Sequence, residues 1–248
     1  MTADRRVIAI TGAGGALGSA IAARLAGERA TDLVLSDISG ASLEETVGGL
    51  PGGRGPVETV LADVSDVEQV QAVVQTAVDV FGRLDVLISN AGILSPNGRI
   101  HNLKTEDWEQ AFRVNVLGAV NGIRAAVPVM RGQQTGSIVL TASVSGLTAW
   151  SHAAPYCATK AAVIQLAKVA AVEYARDGIR VNCVCPGTFH SAIHAGLPPE
   201  AIEAIGARHP LGLGSATDLV GAYSYLASQD SRWTTGSALV VDGGYSAP

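Results

Sequence analysis

The sequence predicts a single-domain α/β fold, a doubly wound sheet of about seven parallel strands with helices on both faces. Short apolar segments typical of buried parallel strands alternate with longer helical segments along all 248 residues. No repeat, low-complexity tract or linker interrupts this alternation. We therefore interpret residues 1–248 as one domain.

The predicted elements follow the alternation in order. Strands are expected at 7–11, 32–36, 57–62, 85–89, 136–141, 179–185 and 237–241. Helices are expected at 16–28, 41–48, 66–81, 105–131, 155–177 and 216–228. Residues 188–214 are irregular, with three prolines and three histidines, and are interpreted as a lid over a substrate, an ordinary surface loop being the alternative.

Composition excludes several classes of partner. The net charge is −5 and no block is rich in Lys or Arg, which argues against nucleic acid and anionic membranes. The longest apolar stretch, 161–175, is interrupted by Gln165, Lys168 and Glu173 and is unable to span a bilayer. Three Cys without a Cys-x-x-Cys pair form no disulfide framework, so we expect a cytoplasmic protein.

A glycine-rich segment, residues 12–18, follows the first predicted strand directly. Glycine lets the backbone approach a pyrophosphate at a helix N-terminus, although a tight turn alone is the alternative. Asp37 closes the second strand nineteen residues after Gly18, where a carboxylate accepts hydrogen bonds from the adenosine ribose and repels a 2′-phosphate. With no Arg or Lys in the loop or just after Asp37, the sequence favours NAD over NADP on a Rossmann fold.

A second motif carries acid/base chemistry. Tyr156 and Lys160 are four residues apart, so on a helix they share one face, and Ser143 lies thirteen residues upstream of Tyr156. Free Tyr titrates at about 10, and a nearby cation favours its anion. Together with the glycine-rich loop, the pair predicts a nicotinamide oxidoreductase.

Along essentially its whole length the chain resembles the short-chain dehydrogenase/reductase family, in its compact branch. Residues 11–18 are similar to the TGxxxGxG loop, with Ala16 in place of the middle glycine. Residues 89–92 resemble NNAG, residues 186–191 resemble PGxxxT with Ser191 for Thr, and residues 241–244 match VDGG. The resemblance implies a set of cofactor-binding residues: Gly12, Gly14, Gly15, Ala16, Leu17, Gly18, Asp37, Ile38, Asp63, Val64, Asn90, Ala91, Gly92, Tyr156, Lys160, Pro186, Gly187, Phe189 and Ser191.

The resemblance also implies the catalytic roles. Tyr156 exchanges a proton with the substrate oxygen, and Ser143 donates a hydrogen bond to the same oxygen. Lys160 lowers the pKa of Tyr156 by its charge and holds the nicotinamide ribose, and Asn115 positions a water that links Lys160 to solvent. By position, the substrate is expected to contact Leu94, Ser95, Ser145, Trp150, His152, Phe189, His190 and Ile193.

The predicted activity is NAD(H)-dependent interconversion of a medium-sized secondary alcohol and a ketone. The alternatives are a 3-oxoacyl reductase, a steroid or diol dehydrogenase, and a non-catalytic NAD-sensing protein. His190 and His194 have the spacing of a metal pair but lack a flanking Glu and a third ligand, so no metal is expected. Small residues in the helices 105–131 and 155–177 resemble the family's subunit interfaces and suggest a homo-tetramer, or a dimer.

Overall fold

The computed structural model describes residues 5–28, 30–191 and 199–247. One parallel sheet of seven strands forms its centre, in the order β3-β2-β1-β4-β5-β6-β7. The strands are β1 Arg6–Thr11, β2 Thr31–Asp37, β3 Val57–Leu61, β4 Val86–Ser89, β5 Gly136–Thr141, β6 Ile179–Pro186 and β7 Ala238–Val241. The sheet confirms the predicted fold class. Its order reverses between β1 and β4, which opens a crevice at the carboxyl ends of the strands.

Helices cover both faces of the sheet. They are α1 Ala16–Ala26, α2 Gly40–Gly48, α3 Val67–Phe81, α4 Thr105–Phe112, α5 Gly118–Gln133, α6 Ala154–Tyr174, α7 Pro199–Gly206 and α8 Ala216–Ala227. Buried residues of α3, α5 and α6 form one apolar core with the sheet, and buried residues of α1, α2 and α8 form the other. Strands covered on both faces are apolar almost throughout, which is the pattern that predicted them.

The structure divides the single helix predicted at 105–131. Helix α4 ends at Phe112, a π-helical turn spans Arg113–Leu117, and α5 begins at Gly118. A π turn inserts one extra residue per turn and occurs mostly at functional sites. Apolar periodicity does not reveal such a turn, because its composition is that of an ordinary helix. This turn carries Asn115.

In its described residues, the predicted irregular segment 188–214 contains one α-helix, α7, which the sequence analysis missed. Residues 192–198 of the segment lie outside the described ranges. In β6, Cys183 and Cys185 are free and buried in the core. In the described part of the chain, no helix has the length and apolarity needed to cross a membrane.

Candidate active site

A cavity of about 910 Å³ opens at the carboxyl edge of the sheet. Parallel strands bring all their carboxyl ends to one edge, so residues far apart in the chain meet there. Residues at or just after the carboxyl ends of six strands line the cavity: Gly12, Asp37, Asp63, Asn90, Thr141 and Pro186.

The conformation of the loop between β1 and α1 requires a glycine at position 12. This residue has φ of +66°, and a Cβ there would lie 2.7 Å from the Cα of Ala91. Helix α1 then begins at Ala16, and its N-cap, Gly15, provides no side-chain cap. The N–H groups of the first turn therefore remain free to bind an anion, and Ala16 occupies an ordinary helical position.

Asp37 is held at the wall by the backbone around it. The backbone N–H of Gly14 donates to Asp37 Oδ2 at 2.9 Å, and that of Ser39 donates to Oδ1 at 3.1 Å. The carboxylate thus fixes the glycine-rich loop and keeps lone pairs for a ribose. The two residues that follow Asp37 are Ile38 and Ser39, and neither has a basic side chain that could bind a 2′-phosphate.

Asn90 connects three strand ends. Its Nδ2 donates to the Gly12 carbonyl at 3.1 Å, and its Oδ1 accepts from the Thr141 hydroxyl at 3.2 Å. Its backbone N–H donates to the Thr11 hydroxyl at 3.1 Å. The side chain therefore sets the glycine-rich loop relative to β4 and β5.

Helix α6 brings Tyr156 and Lys160 to the same wall. The buried Nζ of Lys160 donates to the Thr141 carbonyl at 2.8 Å and lies 5.7 Å from the centre of the Tyr156 ring. Burial lowers the pKa of Lys160 to about 8, and the nearby thiols of Cys185 and Cys183 oppose this shift. Ser143 Oγ accepts from the Ser145 backbone N–H at 3.1 Å, which leaves its O–H to donate towards Tyr156.

The pKa of Tyr156 departs from the sequence-based expectation. Burial raises the pKa of Tyr156, and the hydrogen bond with Ser143 opposes this shift without reversing it. The expected lowering by Lys160 is not the dominant effect, because desolvation of a buried phenol disfavours its anion more strongly. Ser143 is thus the neighbour that favours the tyrosinate.

Asn115 lies behind the wall. Its buried amide donates to the Ile93 carbonyl at 2.9 Å and to the Thr159 hydroxyl at 3.1 Å, and its Oδ1 accepts from the Ile93 N–H at 2.8 Å. A Cβ at Gly92 would lie 3.1 Å from Asn115 Oδ1 and 3.3 Å from Lys160 Nζ. The π turn therefore places Asn115 beside Lys160 through the loop that follows β4.

Most residues predicted to contact the cofactor or substrate line this one cavity. All the predicted cofactor residues except Gly14 are on the wall. Of the predicted substrate residues, those on the wall are Leu94, Ser95, Trp150 and Phe189. Three lie off the wall, namely Ser145, which is buried, and His152 and His190, which are exposed. Ile193 lies outside the described residues.

Sequence reasoning missed several residues on the wall. Arg208 and His209 come from the segment after α7, and Tyr245 comes from the C-terminal turn. Arg208 and His209 belong to the segment predicted as a lid, and Tyr245 directly follows residues 241–244, which match VDGG. Their positions in the sequence, next to segments already expected at the site, were the signal that could have identified them. Over residues 5–28, 30–191 and 199–247, no group of three or more His, Cys, Asp or Glu side chains is arranged to hold a metal ion.

Comparison with known proteins gives matches over nearly the whole chain. A family model described as enoyl-(acyl carrier protein) reductase matches residues 12–246. The 3-oxoacyl-[acyl-carrier-protein] reductase FabG of Thermotoga maritima is 36% identical over 245 residues, covering 98% of this chain and 99% of the relative. The cis-4-hydroxycyclohexanecarboxylate dehydrogenase of Sinomonas cyclohexanicum is 35% identical over 243 residues, covering 98% and 97%.

Solved structures agree with these matches. Levodione reductase superposes with a TM-score of 0.91 at 31% identity, covering 98% of each chain. The structure of ElxO with NADP bound also superposes with a TM-score of 0.91 at 31% identity, covering 98% of this chain and all of the other. The chain therefore has relatives named as reductases and dehydrogenases over nearly its whole length.

Proposed function

The chain belongs to the short-chain dehydrogenase/reductase family, and from this we propose that it interconverts a secondary alcohol and a ketone with NAD(H). It is an oxidoreductase that acts on CH–OH groups of small molecules and uses a nicotinamide cofactor. The observation that carries the proposal is the meeting of Ser143, Tyr156 and Lys160 with the glycine-rich loop in one cavity.

In the proposed mechanism, the protein moves a proton while the nicotinamide ring, when bound, supplies or accepts the hydride. Tyr156 donates its phenolic proton to the ketone oxygen in reduction and accepts the alcohol proton in oxidation. With substrate bound, the O–H of Ser143 donates to the same oxygen and stabilises its negative charge. Lys160 contributes positive charge to the site, and Asn115 holds the adjoining loop at Ile93.

The proposed proton transfer predicts a pH effect of replacing Ser143. Tyr156 must be ionised to accept the alcohol proton, so kcat/KM for oxidation rises with pH towards the pKa of Tyr156. Because Ser143 lowers this pKa, Ser143→Ala is expected to move the rise to higher pH, in addition to lowering the rate. Oxidation and reduction measured from pH 6 to 11 check this, and an unshifted profile in the variant would contradict the role of Ser143.

For the cofactor, we propose NAD, held by the first turn of α1, by Asp37 and by Asp63 and Val64 at the end of β3. The argument rests on the carboxylate of Asp37, which repels a 2′-phosphate, and on the lack of a basic residue at Ile38 and Ser39. The NADP-bound ElxO structure shows that a similar fold accommodates NADP, so the proposal depends on the residues of this chain.

Replacing Asp37 is therefore expected to change cofactor selectivity. In Asp37→Ala and in the near-isosteric Asp37→Asn, the ratio of kcat/KM with NAD to that with NADP should fall by roughly tenfold, the effect of losing one charge-assisted hydrogen bond. The ratio is the correct readout because loosening Gly14 affects both cofactors alike. Paired kinetics with NAD and NADP measure it, and an unchanged ratio in both variants counts against the ribose role of Asp37.

Other activities are favoured by particular relatives. The Thermotoga maritima relative is a 3-oxoacyl reductase, so this chain is also a candidate for reduction of a 3-oxoacyl thioester. Other relatives are named as diol and steroid dehydrogenases, so those activities are candidates too. NADH formation across secondary alcohols and diols, with 3-oxoacyl thioester reduction run in parallel, separates these activities. Tight NAD binding with no turnover on any of them would instead favour an NAD-sensing protein.

We also propose that residues 1–248 act as one domain and that the described parts of 188–214 border the substrate end of the cavity.

The small residues of α5 and α6 support a homo-tetramer, or a dimer, and the free cysteines support a cytoplasmic location. Light scattering of the purified protein tests the assembly.

A further inference from the structure

The charges on the cavity wall are distributed unevenly. Its carboxylates are Asp37 and Asp63, at the ends of β2 and β3, where the adenosine of the cofactor is proposed to bind. Away from that end, the described wall carries the cations Lys160, Arg113 and Arg208 and no carboxylate. An uncompensated positive field of this kind favours an anionic ligand.

We propose that the substrate is a hydroxy acid or keto acid whose carboxylate binds Arg208 while its hydroxyl or keto group meets Tyr156. This inference rests on the proposed oxidoreductase function and names its substrate class. The reaction transfers the C–H hydride of the hydroxy acid to NAD and the O–H proton to Tyr156, and leaves the carboxylate unchanged.

Arg208 has the donors that a carboxylate requires. Its Nη2 donates to the Tyr245 hydroxyl at 2.6 Å, and its guanidinium carbon lies 4.9 Å from the centre of the Tyr245 ring. Among the described residues, Arg208 forms no ion pair with an acidic side chain. A guanidinium has five N–H donors, so most of them remain for a bidentate carboxylate.

Aromatic rings connect Arg208 to the reacting end of the site. The centre of the Trp150 ring lies 6.3 Å from that of Tyr156 and 6.3 Å from that of Tyr245. A substrate that extends from Tyr156 along Trp150 therefore brings its far end towards Tyr245 and Arg208. These two ring separations leave space for an alicyclic or aryl ring between the hydroxyl or keto group and the carboxylate of the substrate. Trp150 would supply apolar contact to that ring.

The other ionisable groups near Arg208 have partners of their own. His209 donates from Nδ1 to the Ile205 carbonyl at 3.0 Å and accepts at Nε2 from the Thr188 N–H at 3.2 Å, which is the pattern of a neutral ring. This ring lies 4.8 Å from that of Tyr245 and supports it. Asp242 is off the wall, and its carboxylate accepts from the N–H of Gly244 and from Ser246. Asp242 therefore has hydrogen-bond partners of its own and forms no ion pair with Arg208.

The test compares an acid with its neutral analogue. We would measure kcat/KM with NAD for 4-hydroxycyclohexanecarboxylate and for its methyl ester, in the wild type and in Arg208→Met. The wild type should prefer the acid at least tenfold, and Arg208→Met should lower this preference about tenfold through KM, since the arginine is exposed and partly screened. Arg54→Met, which removes an exposed arginine distant from the cavity, should leave the preference unchanged.

Other results would overturn the inference. These are equal or better use of the ester, an acid preference that survives Arg208→Met, or a preference lost in Arg113→Met and retained in Arg208→Met. Turnover of neutral alcohols without any preference for the acid leaves the oxidoreductase proposal intact and rejects the anion site.

A binding measurement keeps the two proposals separable when no substrate is turned over. Cyclohexanecarboxylate is titrated into the protein with NADH present, beside cyclohexanecarboxamide as the neutral control. Binding of the carboxylate that Arg208→Met weakens about tenfold supports the inference without reference to activity. Equal binding of the two ligands, or binding of neither, rejects it.

Discussion

Replacement of Tyr156 by Phe is expected to lower kcat/KM for alcohol oxidation by roughly 10²- to 10⁴-fold, the usual contribution of a positioned general acid or base. The phenolic O–H is the proton donor and acceptor of the proposed mechanism, and Phe keeps the ring in its place beside Trp150. Ser143 and Lys160 remain in the variant, but neither replaces the lost proton. NADH binding should stay within about twofold of the wild type, because its proposed contacts are otherwise unchanged.

Steady-state rates and NADH titration of Tyr156→Phe measure both effects. Tyr225→Phe is the matched control, since it removes a hydroxyl that bonds to Thr234 far from the cavity and should keep full activity. Substantial dehydrogenase activity in Tyr156→Phe would refute the mechanism. Loss of NADH binding in parallel with activity would indicate a structural role for the hydroxyl instead.

Replacement of Gly18 by Ala is expected to damage both stability and cofactor binding. A Cβ at this position would overlap the carbonyl of Gly12 and lie 2.8 Å from the Cα of Ala13. Both are backbone atoms, so the glycine-rich loop must move away from α1. Overpacking of this kind costs about 1–3 kcal/mol, which lowers the Tm of a chain this long by several degrees.

Gly15→Ala provides a control within the same loop. A Cβ there lies 3.5 Å from the Gly12 carbonyl, an ordinary contact, and the φ of −77° suits any residue. We expect Gly15→Ala to keep the wild-type Tm, and Gly18→Ala to lower it and to weaken NAD binding by at least tenfold. Thermal unfolding measures the Tm of each variant, and NAD titration measures the affinity for the cofactor. An equal Tm for the two variants would contradict the packing role of Gly18.

The fold class was predictable because its physical causes are local. A strand buried on both faces must be apolar along its length, and the helices between such strands are longer, so alternation alone indicated the parallel sheet. The same holds for Gly12 and Gly18, where close backbone approach excludes a side chain. Tyr156 and Lys160 were predictable as a pair because four residues bring side chains to one face of a helix.

The π turn and the substrate end of the cavity were not predictable in this way. In the turn at Arg113–Leu117, Asn115 bonds to Ile93, a residue twenty-two positions away, and no local pattern indicates this pairing. Arg208 and Tyr245 meet across thirty-seven positions, and no local pattern relates them. His152 and His190, which the sequence predicted to contact the substrate, lie off the wall.

The sequence by itself therefore determined the parallel sheet, the glycine-rich loop and the Tyr156–Lys160 pair to which we assign proton exchange, because these depend on periodicity and on spacing within one element. Only the tertiary structure decided the direction of the pKa shift of Tyr156 and the meeting of Arg208, Tyr245 and Trp150. The physical reason is that burial and through-space charge depend on which distant segments pack together, and spacing along the chain carries no record of that packing.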